Sequence, residues 1–164
     1  MENTLSAFLR SGYPVEAERK DLLEMNGETT QYGLQLSQAE AAELAKTHRT
    51  ALVKTNRVEI GHETVQKIIH ALSRSQFLPQ TRYADVLNEA VYAFYELKNE
   101  SEDKMTDDEL IENLADGFEE YEGDMDAYLQ SCGLDGLLRK IRYGLQPEED
   151  EKDDEDDEKE EPDE

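Results

Sequence analysis

The residues of this chain whose types could do chemistry are three histidines, a single cysteine and a dense run of carboxylates. His62 opens the stretch His62-Glu63-Thr64-Val65-Gln66, which is close to the H-E-x-x-H pattern of zinc proteases. That pattern needs a second imidazole one helical turn after the first, and Gln66 stands in its place, so the zinc motif fails. His62 and His70 are two helical turns apart and share no metal without further ligands between them. His48 falls in the middle of an apolar helical face, where a hydrogen-bonded core histidine is the expectation. Cys132 has no neighbour that would hold it as a thiolate, and it reads as a packed or surface thiol.

The carboxylates crowd into Met105–Asp126, together with Gly117 and Gly123. A calcium loop requires oxygen ligands at its positions 1, 3 and 5, glycine at 6 and glutamate at 12. With Gly117 at position 6, Leu114 falls at 3 and Gly123 at 12; with Gly123 there, Phe118 falls at 1 and Leu129 at 12. Both registers fail. A helix accounts for the same residues: Leu110, Ile111, Leu114, Phe118 and Tyr121 share one face at 100° per residue. Asp108, Glu109, Glu112, Asp116, Glu119 and Glu120 lie opposite, as a solvated acidic surface rather than a catalytic pair. No phosphate-binding glycine loop and no G-x-S-x-G are present. No catalytic residue, metal ligand or cofactor is therefore expected.

The elements around these residues are helical from Leu36 onward. Ser37-x-x-Glu40 and Thr106-x-x-Glu109 are capping boxes, each opening a helix. After Ser37, Ala41, Leu44, Ala45, His48 and Leu52 form one face; Arg57–Gly61 is a short extended link with Val58 and Ile60 on one side. A helix over about 63–76 buries Val65, Ile68, Ile69 and Leu72, and Pro79 marks its end. The next segment carries the broadest apolar stripe, with Tyr83, Val86, Leu87, Ala90, Phe94 and Leu97 flanked by Val91 and Tyr95. Such width belongs to a central helix with several neighbours. Two short helices, over 126–131 and 135–143, are separated by Gly133. In the first 35 residues the pattern is weaker: Leu5, Phe8 and Leu9 suit one turn, and Pro14 to Asn26-Gly27 reads as a helix with its start and stop. The alternation in Tyr32–Leu36 is too short to imply a sheet.

The fold class is thus all-α: a single compact domain of about five main helices over residues 1–145. Residues 146–164 hold no apolar side chain and a net charge of −12, half of the chain's −24, so they are expected to be a disordered acidic tail. The start lacks the basic and long apolar stretches of a signal peptide, no run is long enough to span a membrane, and a lone cysteine suits a reducing compartment. A cytoplasmic protein without membrane contact is the expectation.

Against this acidity, Lys46–Arg82 holds seven Lys and Arg and two acids, and all three histidines. Ordinary charge complementarity between helices accounts for such an island. The functional alternatives are an anion or partner site at Lys46, Arg49, Lys54 and Arg57, or a landing place for the acidic tail. Nucleic acid is not an expected partner, because net repulsion opposes steering and no basic stripe is interleaved with aromatics.

The order L-S-x-x-x-A, K-x-x-x-R-V-E-x-G, Y-x-x-x-x-x-E and K-N-E-x…D-D-E-L-I, running from about Tyr32 to Leu129, resembles a family of small bacterial proteins from Firmicutes known as a domain of unknown function. The sequence departs from it at His62, where the family often has glycine, and in its long acidic tail. The resemblance brings no activity, cofactor or site residue with it. The expectation is a non-enzymatic helical protein that binds a protein partner, with Tyr92 on the polar side of the central helix as a contact. An acidic decoy that mimics nucleic acid and occupies basic proteins is the alternative, and an unrecognised enzyme the third. A homo-oligomer is compatible with the chain, but no pattern specifies one.

Overall fold

The computed structural model describes residues 15–143, apart from 60 and 62 and the side chains at 132, 133 and 140. The expected turn at Leu5–Leu9, the expected tail at 146–164, His62 and the Cys132 thiol lie outside the described residues. Within them every regular element is helical. The helices are α1 (Val15–Glu24), the one-turn α2 (Asn26–Thr29), α3 (Gln38–Lys54), α4 (Glu63–Ser73), α5 (Tyr83–Glu100), α6 (Asp107–Glu120), α7 (Met125–Leu129) and α8 (Cys132–Arg142).

The central helix is α5, which packs on α3, α4, α6 and α7. Its stripe is wide because it is enclosed: Tyr83, Val86, Leu87, Ala90, Val91, Phe94, Tyr95 and Leu97 are all buried. Helix α1 lies against α3, with Leu22 fully buried, and α4 lies against α6. Each apolar face read from the 3.6-residue period meets the period of a neighbour, so one core runs through the bundle.

Both capping boxes form. The Ser37 hydroxyl accepts from the Glu40 N–H at 3.1 Å, while the Glu40 carboxylate accepts from the Ser37 N–H at 2.9 Å. Thr106 and Glu109 repeat this at 3.2 and 3.0 Å. On α6, Leu110, Ile111, Leu114 and Phe118 are buried and the six carboxylates opposite are exposed. The two glycines of that region have backbone and packing roles. Gly117 faces the Tyr128 ring so closely that an added Cβ would sit 2.3 Å from it. Gly123 adopts φ +87° beside the Phe77 carbonyl, in the left-handed region that glycine enters freely.

Three expected boundaries differ. Asn26-Gly27 does not stop the first helix; the chain breaks at Met25 and continues through α2. The reason is tertiary: the Asn26 side chain donates to the Leu36 carbonyl at 2.9 Å and accepts from the Leu36 N–H at 2.8 Å. Gln80 pairs with the backbone of Gln35 in the same two-bond way, at 2.7 and 2.8 Å. Residues 34–37 are therefore extended, with Leu34 and Leu36 buried, yet side-chain amides take the place of a neighbouring strand. Gly133 lies inside α8 instead of ahead of it, because Ser131 caps that helix through the Leu134 N–H. Helix α4 ends at Ser73, short of 76. In the link before it, Val58 is exposed.

Candidate functional site

Three side chains from three other parts of the chain meet around His48. Nδ1 of the imidazole lies 2.7 Å from Glu18 Oε1 and Nε2 lies 3.0 Å from the Tyr95 hydroxyl, which donates to Glu59 Oε2 at 2.5 Å. His48 and Glu18 are each 2 % exposed. Burial by itself would push the imidazole pKa down, but hydrogen bonds and charge from Glu18 and Glu59 outweigh it and raise it to about 9. Burial would likewise raise Glu59, and His48, Tyr95 and Thr64 hold it below the usual carboxylate range. The Tyr95 phenol is pushed up, by burial first and then by the Glu59 charge, and stays a donor. At neutral pH the node is an imidazolium between two carboxylates, closed by a phenol. Its polar groups face one another, so it fastens α1, α3, α5 and the link that carries Glu59 together.

The sequence marks His48 as a core residue but does not reveal its partners, which lie 30 and 47 positions away. A faint signal exists for Glu18, which shares a helical face with Leu22 one turn later.

The four basic residues read as an anion or partner site are spread over α3 and the residues after it. Lys46 is exposed on the outer face and Arg49 is half-buried. Lys54 Nζ stands 5.2 Å from the centre of the Tyr92 ring, which is itself half-buried. Arg57 reaches two turns further along α5, where its guanidinium donates to Asn99, and it pairs at 2.7 Å with Asp103 just past the end of that helix. Further along the island, Lys67 pairs with Asp108 at 3.1 Å and Arg82 donates to the Gly123 carbonyl. Arg57, Lys67 and Arg82 therefore meet acids and acceptors of the C-terminal half.

The structure opens a different surface, over the outer face of α4. An open groove of about 730 Å³ runs between α2 and the start of α6. Met25, Ala71 and Ile111 are its apolar lining, and the rim is charged. On one wall His70 Nδ1 lies 2.7 Å from Glu28 Oε1, both about half exposed; on the other Lys67 meets Asp108. A histidine oriented by a carboxylate is one part of a general base. No hydroxyl or thiol side chain accompanies it among the described lining residues. Nor does any group of three His, Cys, Asp or Glu among the described residues suit a metal ion. Glu28 and His70 are 42 positions apart, and nothing in the sequence signals their pairing.

Fold and surfaces define a small all-α protein with a salt-bridged polar cluster in its core and an open, partly apolar groove over α4. No helix among the described residues is long and apolar enough to cross a membrane. The chain belongs to the family described as "Family of unknown function (DUF6323)", which matches residues 21–147. No curated protein and no solved structure matches it.

Proposed function

We propose that this is a non-enzymatic cytoplasmic protein that binds a protein partner in the groove over α4. The observation that carries the proposal is the groove itself: two helices and the break at Met25 contribute apolar side chains to a concave, solvent-open surface with a charged rim. Apolar centres inside polar rims are the anatomy of protein interfaces. The buried node around His48 supports the non-enzymatic half of the proposal, because its groups satisfy one another.

The test is co-purification from the native host with Ala71→Arg as the control. Ala71 is half-buried on the outer face of α4, so arginine fills the groove without entering the core. A stoichiometric partner retained by the wild type and lost by the variant is expected. Recovery of the wild type alone at micromolar concentration overturns the proposal, as does a partner indifferent to Ala71→Arg.

The six exposed carboxylates along α6 favour a second function, an acidic decoy that occupies basic proteins. Moderate salt would abolish binding by a decoy, and deletion of residues 146–164, which removes half of the net charge, would weaken it. Binding unaffected by either eliminates it.

A further inference from the structure

We propose that the occupant of the groove is a basic, amphipathic helix of the partner; this rests on the partner-binding function above and adds the partner's chemistry. The groove follows α4 from Glu63 to Ala71, a rise of about 12 Å at 1.5 Å per residue. That length accepts two turns of a docked helix, whose anchors recur at i, i+3 or i+4, and i+7. Met25 at the break before α2, Ala71 of α4 and Ile111 of α6 give those anchors an apolar seat.

Charge selects the sign of the partner. Three carboxylates, Glu28, Glu63 and Asp108, stand on the rim beside a single lysine, Lys67. Glu63, exposed at the start of α4, lines the groove and interacts electrostatically with Lys67 one turn on. Glu28 and Asp108 already hold His70 and Lys67, but both pairs are about half exposed or more. Exposed pairs are weakly held, and an incoming guanidinium exchanges with them at little cost. Beyond Asp108 the acidic surface continues through Glu109 and Glu112. A chain of net charge −24 also draws basic partners from a distance. An acidic segment would meet repulsion at every step of this approach.

The experiment titrates the full chain, isotopically labelled, with synthetic peptides of about 15 residues, the length at which helices begin to hold in water. One carries lysine and arginine opposite a leucine stripe, a second carries glutamate opposite the same stripe, and a third scrambles the first at equal charge. Amide shifts at Met25, Glu63, Lys67, Ala71 and Ile111 report the groove. The patterned basic peptide is expected to shift them and to bind about tenfold or more tightly than its scramble. Glu63→Lys with Asp108→Lys should weaken it by a similar factor. Equal binding by the scramble, or by the charge-reversed variant, shows attraction to acidity alone and overturns the proposal. A glutamate peptide that wins the groove overturns the partner's sign while leaving partner binding intact. Silence of the groove toward all three overturns the helix proposal, and co-purification with Ala71→Arg decides partner binding separately. Light-scattering mass that doubles and is restored by Ala71→Arg assigns the groove to a second copy and likewise overturns it.

Discussion

Glu18 and His48 stand 2.7 Å apart with both side chains 2 % exposed, which makes α1 an ionic partner of α3. A buried charge pair of this kind is costly to break, because removal of one member strands the other in a medium of low dielectric. The stability of the fold is therefore tied to the protonation of one imidazole.

The first prediction is a pH dependence. His48 has its pKa raised from 6.5 in the unfolded chain to about 9 in the folded one. The folded state binds the proton more tightly, so the contribution is fully present below pH 6.5 and is lost as pH rises through about 9. Its size is roughly 3 kcal/mol from the shift. Urea unfolding between about pH 6 and 10 should show this loss, and His48→Gln should flatten that part of the profile. A wild-type profile flat across the window contradicts it.

Truncation of the partners should rank in a definite order. Glu18→Ala leaves a buried imidazolium with one fewer carboxylate and should cost about 3–5 kcal/mol. Tyr95→Phe removes a hydroxyl that touches both His48 and Glu59 and should cost about 1.5–3 kcal/mol. Each variant's unfolding free energy is the measurement, and in Glu18→Ala the His48 pKa read by NMR should fall.

Gly117 sets two effects against each other. Alanine would favour the interior of α6 by about 0.5–1 kcal/mol through backbone entropy. Its Cβ would overlap the Tyr128 ring, and displacement of that ring should cost about 1–3 kcal/mol. Gly117→Ala is thus expected to destabilise despite its propensity. In Tyr128→Leu the same change should cost less, and a double-mutant cycle reads the difference.

The amide of Asn26 offers a test of the extended segment. Asn26→Ala removes both hydrogen bonds to Leu36 and leaves a partly buried peptide unpaired. A loss of about 1–3 kcal/mol is expected, with amide exchange at Leu36 accelerated well beyond that in α5.

Much of the architecture was legible in the residues because helical burial is a local, periodic property. Leu110, Ile111, Leu114 and Phe118 identify their face without reference to anything else in the chain, and Ser37 and Thr106 announce their helices from three residues away. The same locality explains the misjudged ends. Asn26-Gly27 has the composition of a stop, but the Asn26 amide is committed to Leu36 ten positions on. Gly133 has the composition of a break, but Ser131 caps first.

By itself the sequence determined the helical class, the apolar faces, the acidic exterior and the failure of the calcium and zinc patterns, since each depends on spacing within a turn or two. Only the tertiary structure decided that Glu18, Glu59 and Tyr95 close around His48, and that Met25, Ala71 and Ile111 open a groove between Glu28–His70 and Lys67–Asp108. The pairings at His48 and His70 join residues 30 to 47 positions apart. Their energies come from burial and from the packing of one helix on another, quantities that do not exist until the bundle has formed.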